Sequence, residues 1–170
     1  AAGGGAAPEE SATATAEEAQ LSHMAASLLQ QGERSEAARV HIALSRAAVA
    51  CGRLASAARH AADALRLSMA ARAIASTATM GASGADDSQP AGGSEPSVAC
   101  EAMLLTGQVW HLRGSFADAQ RYLDAAIHLA RGKCLPRYHA HALLDKATLL
   151  LAAARPDEAS VAVDAAQCLL

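Results

Sequence analysis

Large and small apolar residues return along this chain every three or four positions. Leu21, Met24, Ala25, Leu28 and Leu29 form one such series. Phe116, Ala119, Leu123, Ala126, Ile127 and Ala130 form another, and Leu143, Leu144, Ala147, Leu150, Leu151 and Ala154 a third. That interval keeps apolar side chains on one face of an α-helix, so the pattern predicts a succession of amphipathic helices. Gly32, Gly52, Gly114 and Gly132 interrupt the pattern, and Pro136 and Pro156 suit the first turns of new helices. The expected helices span about 17–31, 35–51, 54–75, 98–113, 116–131, 137–154 and 157–170. Thr15 with Glu18 reads as a capping box for the first. Ser35 reads as the cap of the second, and Ser115 with Asp118 as that of the fifth. Asp157 and Glu158 place negative charge in the first turn of the last.

Two stretches fall outside the pattern. Residues 1–16 (AAGGGAAPEESATATA) are low in complexity and are expected to be disordered. Residues 81–97 (GASGADDSQPAGGSEPS) hold no large apolar side chain and are expected to be a flexible insertion. The helical parts are then residues 17–80 and 98–170. The chain begins on Ala1 and stops on the apolar Cys168, Leu169 and Leu170, so it is expected to be a piece of a longer protein.

Composition sharpens the all-α expectation. Apolar residues make up 52 % of the 170, but aromatic residues only 2 %, so alanine supplies most of the apolar content. Alanine is the best helix former and buries little area. A core of this kind needs helices that approach closely. No apolar run approaches the length of a membrane span, and no secretory leader is visible.

The small residues are spaced as that close approach requires. Thr106, Gly107 and Trp110 follow Met103 at offsets three, four and seven, and Ala119, Leu123 and Ala126 follow after a turn. The arrangement resembles a tetratricopeptide repeat, a helix pair in which small residues permit contact and an aromatic fills the gap. A second copy places Ala147 and Leu150 before Ala159, Val163 and Ala166, with Ala159 lying 40 residues after Ala119. An earlier copy has Ala57, Ala61 and Ala64, 62 residues before the Ala119 series, or about 40 once the insertion is subtracted. The resemblance implies a right-handed α-solenoid of antiparallel helix pairs with a period near 40. Gly107, Trp110, Ala119, Leu123, Ala126, Ala147, Ala159 and Ala166 are its packing residues.

Two groups with long repeats of this kind are similar. One is the tetratricopeptide-like region of anaphase-promoting complex subunit 5, which implies a scaffold inside a ubiquitin ligase of the cell cycle. The other is the sensor arm of bacterial signalling ATPases and transcriptional regulators. Both imply a non-enzymatic protein whose partners are other protein subunits. Repeats that grip chaperone C-terminal carboxylates resemble one another in using paired asparagines, and this chain has none.

Catalytic and ligand-binding patterns are sparse. There is no G-x-S-x-G, no H-E-x-x-H and no phosphate-loop motif. The cysteines Cys51, Cys100, Cys134 and Cys168 lie far apart, as free thiols of an intracellular protein do. His139 and His141 are two apart and point to different helix faces, while His23, His41, His60, His111 and His128 sit singly. No metal, cofactor or small-molecule substrate is expected.

Charge offers one sharper feature. The chain's formal charge is −3, yet residues 32–72 hold seven arginines against Glu33, Glu36 and Asp63. Arg39 and Arg46 are a heptad apart, as are Arg59 and Arg66, so each pair shares a helix face. This strip is a candidate surface for an acidic peptide or for nucleic acid. The scarcity of aromatics weighs against nucleic acid.

Overall fold

The computed structural model describes residues 8–79 and 96–169. Most of the expected insertion at 81–97, and residues 1–7 of the expected disordered start, lie outside the described residues. Seven helices follow one another: α1 (Pro8–Gln30), α2 (Arg34–Ala50), α3 (Leu54–Thr79), α4 (Pro96–Leu112), α5 (Phe116–Gly132), α6 (Pro136–Ala152) and α7 (Pro156–Gln167). None among the described residues is long and apolar enough to cross a membrane.

The first helix starts earlier than the periodicity predicts. Residues 8–16 are helical rather than disordered, and Pro8 stands in the first turn with Glu9 and Glu10 behind it, an arrangement that favours a helix start. Thr15 is therefore in mid-helix and caps nothing. The serine caps also differ from expectation. Ser35 lies inside α2, and Ser115 stands at the N-cap of α5 without a side-chain bond to the helix.

The chain reverses instead through the main chain, by the same device five times. Gly32, Gly52, Gly114, Cys134 and Ala154 all have positive φ, between +52° and +85°. The next residue then donates its N–H to the carbonyl five positions back: Glu33 to Leu28, Arg53 to Ala48, Ser115 to Trp110, Leu135 to Ala130 and Arg155 to Leu150, at 2.8–3.0 Å. The left-handed residue itself donates to the carbonyl three positions back. This is the Schellman closure, which satisfies carbonyls that a helix end would otherwise leave bare.

Two of the five joints lack glycine. An L side chain in the left-handed region costs about 1 kcal/mol, partly offset by the entropy that glycine loses on folding. Ala154→Gly is therefore expected to stabilise the chain by about 0.5 kcal/mol, and Cys134→Gly by a similar amount. Urea unfolding midpoints check this. A midpoint lower than the parent's for both variants contradicts the joint geometry.

Each helix packs on the next in sequence. In addition α2 packs on α4 and α4 on α6, whereas α3, α5 and α7 do not touch one another among the described residues. The even helices thus make one continuous layer. At its centre is α4, with ten of 17 residues buried.

The contacts between helices are made by small residues. A Cβ on Gly107 would lie 2.9 Å from Leu123 Cγ and 3.4 Å from the Ala119 carbonyl oxygen. Ala147 and Leu150 meet Ala159 and Ala162 in the same way between α6 and α7. Between α2 and α3 the buried Ser45 donates its hydroxyl to the Ala57 carbonyl at 2.9 Å. Leu123, Ala126, Met103, Leu104 and Leu149 form the main cluster, with Trp110 half-buried against it. The Arg113 guanidinium lies 4.8 Å over the Trp110 ring. Ala166 is fully buried.

Several large residues expected in the core are outside it. Phe116 is 42 % exposed and rests against His111. Leu144 and Leu151 are exposed, while Leu149, absent from the expected face, is buried. Helix α6 packs on α4, α5 and α7 at once, so its buried surface is broader than a single stripe.

Candidate functional site

The arginine strip is largely neutralised. Arg39 pairs with Glu36 on its own helix, and Arg66 with Asp63 on its own. Arg46 reaches across to Glu101 on α4 at 2.8 Å. Arg53 reaches back to Glu18 on α1. Arg59 is exposed and lines an open groove between α1 and α3. The local excess of positive charge seen in the sequence is thus spent mostly on internal pairs. Exposed pairs of this type contribute little to stability, about 0–1 kcal/mol each.

Glu18 is the hub of a polar cluster that joins three helices. Its carboxylate accepts a hydrogen bond from Ser56 Oγ at 2.7 Å and is paired with the Arg53 guanidinium. Its Oε1 is 3.0 Å from His60 Nε2. These partners hold the Glu18 carboxyl down at about 2, the Ser56 bond contributing most and burial opposing.

His60 turns its other ring nitrogen toward His41. The two Nδ1 atoms are 3.3 Å apart, with ring centroids 5.5 Å apart. Burial pushes the His41 imidazole below its ordinary value, with the charges of His60 and Arg66 acting in the same direction and Asp63 opposing. His41, His60 and Asp63 bring one ligand atom each within 4.8 Å of one another. The expectation that the histidines share no surface is therefore corrected. His41 and His60 lie on different helices, and folding back at Gly52 puts them face to face. Their nearly equal distances from that turn are the signal that could have paired them.

A second polar feature lies along the layer of even helices. A cleft of about 300 Å³ is lined by Arg46, Glu101, Leu104, Leu105, Gln108, Arg137, Tyr138, His141 and Asp145. Gln108 Nε2 donates to Asp145 Oδ2 at 2.8 Å, tying α4 to α6. Burial raises the Asp145 carboxyl above its ordinary value, partly countered by that bond. Beside it Lys146 pairs with Asp124 of α5 at 2.6 Å. No candidate residue named from the sequence other than Arg46 falls in this cleft. The packing residues lie between helices, and His139 lies apart from His141, as their spacing requires.

The thiols of Cys51, Cys134 and Cys168 are exposed and Cys100 is buried. No family model, curated protein or solved structure matches the chain.

Proposed function

We propose that this chain is a protein-interaction scaffold of the tetratricopeptide-like type, a right-handed stack of antiparallel helix pairs. Helix starts at Pro96 and Pro136, and at Phe116 and Pro156, support a 40-residue repeat. The observation that carries the proposal is the layer of α2, α4 and α6, whose side chains line one cleft with polar groups from all three helices. Stacks of this kind bind along the surface that successive repeats build together. Mixed charge in the cleft favours an extended protein segment carrying both signs over a uniformly acidic one. The role is non-enzymatic, and the partners are other subunits. A place in a large assembly, such as the anaphase-promoting complex, is the narrower form of the same proposal. The arginine strip is the weaker surface, because Arg39, Arg46 and Arg66 already hold acids.

The test compares capture of partners from an extract of the source organism. The parent is set beside Arg137→Glu with His141→Glu on the cleft, and beside His128→Glu with Arg131→Glu on α5. All four positions are exposed. Capture of the same proteins should fall roughly tenfold with the cleft variant, the equivalent of about 1.4 kcal/mol, and stay level with the α5 variant. Equal capture by all three proteins would remove the cleft from the binding surface.

A further inference from the structure

We infer that His41, His60 and Asp63 form a binding site for a divalent transition-metal ion of the zinc type, with Glu18 as the outer carboxylate that orients His60. This goes beyond the scaffold reading and is independent of it.

Geometry carries the inference. Two ligands bound at about 2.0–2.1 Å to a tetrahedral zinc lie about 3.3 Å apart. The Nδ1 atoms of His41 and His60 are separated by 3.3 Å. An octahedral ion with bonds of similar length would draw them to about 3.0 Å. The third ligand, Asp63, stands one turn beyond His60 on α3, with an oxygen within 4.8 Å of both nitrogens. Arg66 takes Asp63 Oδ1, which leaves Oδ2 to close on an ion by a small rotation of the side chain. Three protein ligands leave the fourth tetrahedral position to water.

The surroundings match what such sites use. A metal-bound histidine commonly donates its remote N–H to a carboxylate, which fixes the tautomer and raises the basicity of the ligating nitrogen. The contact from His60 Nε2 to Glu18 Oε1 supplies that bond at 3.0 Å. With its proton on Nε2, neutral His60 presents the Nδ1 lone pair toward His41. Ser56 and Arg53 hold the Glu18 carboxylate in place. Arg53 and Arg66 also bring positive charge near the ion, so the affinity should be lower than that of a closed four-ligand site. The competing arrangement is a shared proton, with His41 Nδ1–H donating to His60 Nδ1.

The test uses the full chain, stripped with a chelator that is then removed, and with exposed thiols alkylated. Zinc is titrated by calorimetry, and cobalt is followed through its visible d–d bands. One equivalent of zinc should bind, and cobalt should show the intense bands of tetrahedral coordination. The imidazole ¹⁵N signals of His41 and His60 should shift at Nδ1 on zinc addition, a readout that needs no variant. His41→Ala and His60→Ala should abolish binding, while Glu18→Gln should weaken it about 10–100-fold. His139→Ala with His141→Ala should leave it unchanged. Unmoved His41 and His60 nitrogens, or equal zinc binding by His41→Ala and the parent, would overturn the site and leave the two rings sharing a proton only.

Discussion

Gly107→Leu should lower the stability of the chain by about 3 kcal/mol, the upper end of the ordinary cost of overpacking. The position has no room for even one added carbon, since a Cβ there meets Leu123 Cγ at 2.9 Å. Leu123 is 1 % exposed and cannot swing into solvent. Helix α5 would have to move away from α4, which is also the helix that α2, α3 and α6 pack on. One effect works the other way, because glycine in mid-helix is about 1 kcal/mol worse than alanine. Gly107→Ala should therefore come out near neutral, with only leucine strongly destabilising. Thermal melts should show the leucine variant roughly 6–12 °C below the parent. Arg59→Ala, on an exposed position, should melt with the parent. A leucine variant that also melts with the parent would refute the close contact between α4 and α5.

Glu18→Gln, in the metal-free protein, should weaken the fold at neutral pH and remove one component of its acid sensitivity. The carboxyl is held at about 2 in the folded chain, against an ordinary value of 4.5. A carboxyl depressed by folding stabilises the folded state fully above its unfolded value. That contribution fades as pH falls from about 4.5 to about 2, where the folded form too becomes protonated. The parent should thus lose its advantage over Glu18→Gln across that window. Urea midpoints of the two proteins at pH 7, 4 and 2.5 measure the difference directly. A constant gap at all three would mean that Glu18 does not make its bonds to Ser56, His60 and Arg53.

The helical order was legible because the signals are local. Gly52 and Gly114 mark reversals, Pro136 and Pro156 stand in first turns, and the spacing of Gly107, Ala119 and Leu123 follows from how two helices touch. Elsewhere a local signal misled. Thr15 and Glu18 have the spacing of a capping box, yet Glu18 serves α3, more than 30 residues away in sequence. No local pattern separates the two uses of one carboxylate. Leu151 fits a helical stripe as well as Leu150 does, and only the arrangement of α4, α5 and α7 around α6 decides that Leu150 is buried and Leu151 exposed. Reversals at Cys134 and Ala154 carry no glycine to announce them. The pairing of His41 with His60, and of Arg46 with Glu101, depends on neighbours that the sequence separates by a whole helix or more.

The five Schellman closures give the chain a metre. Left-handed residues at 32 and 52, and again at 114, 134 and 154, fall at intervals of twenty, and four of the seven helices have 17 residues. Because the joints are written in main-chain hydrogen bonds, they constrain the length of each unit far more than its letters. One residue inserted inside α5 would turn everything beyond it by about 100° and carry the buried alanine positions off their seam. Substitution at most exposed positions would leave the beat intact. Two chains built to this metre can share an architecture with few identical residues. The places to align them are the small side chains at the seams: Ser45 with Ala57, Gly107 with Ala119, and Ala147 with Ala159.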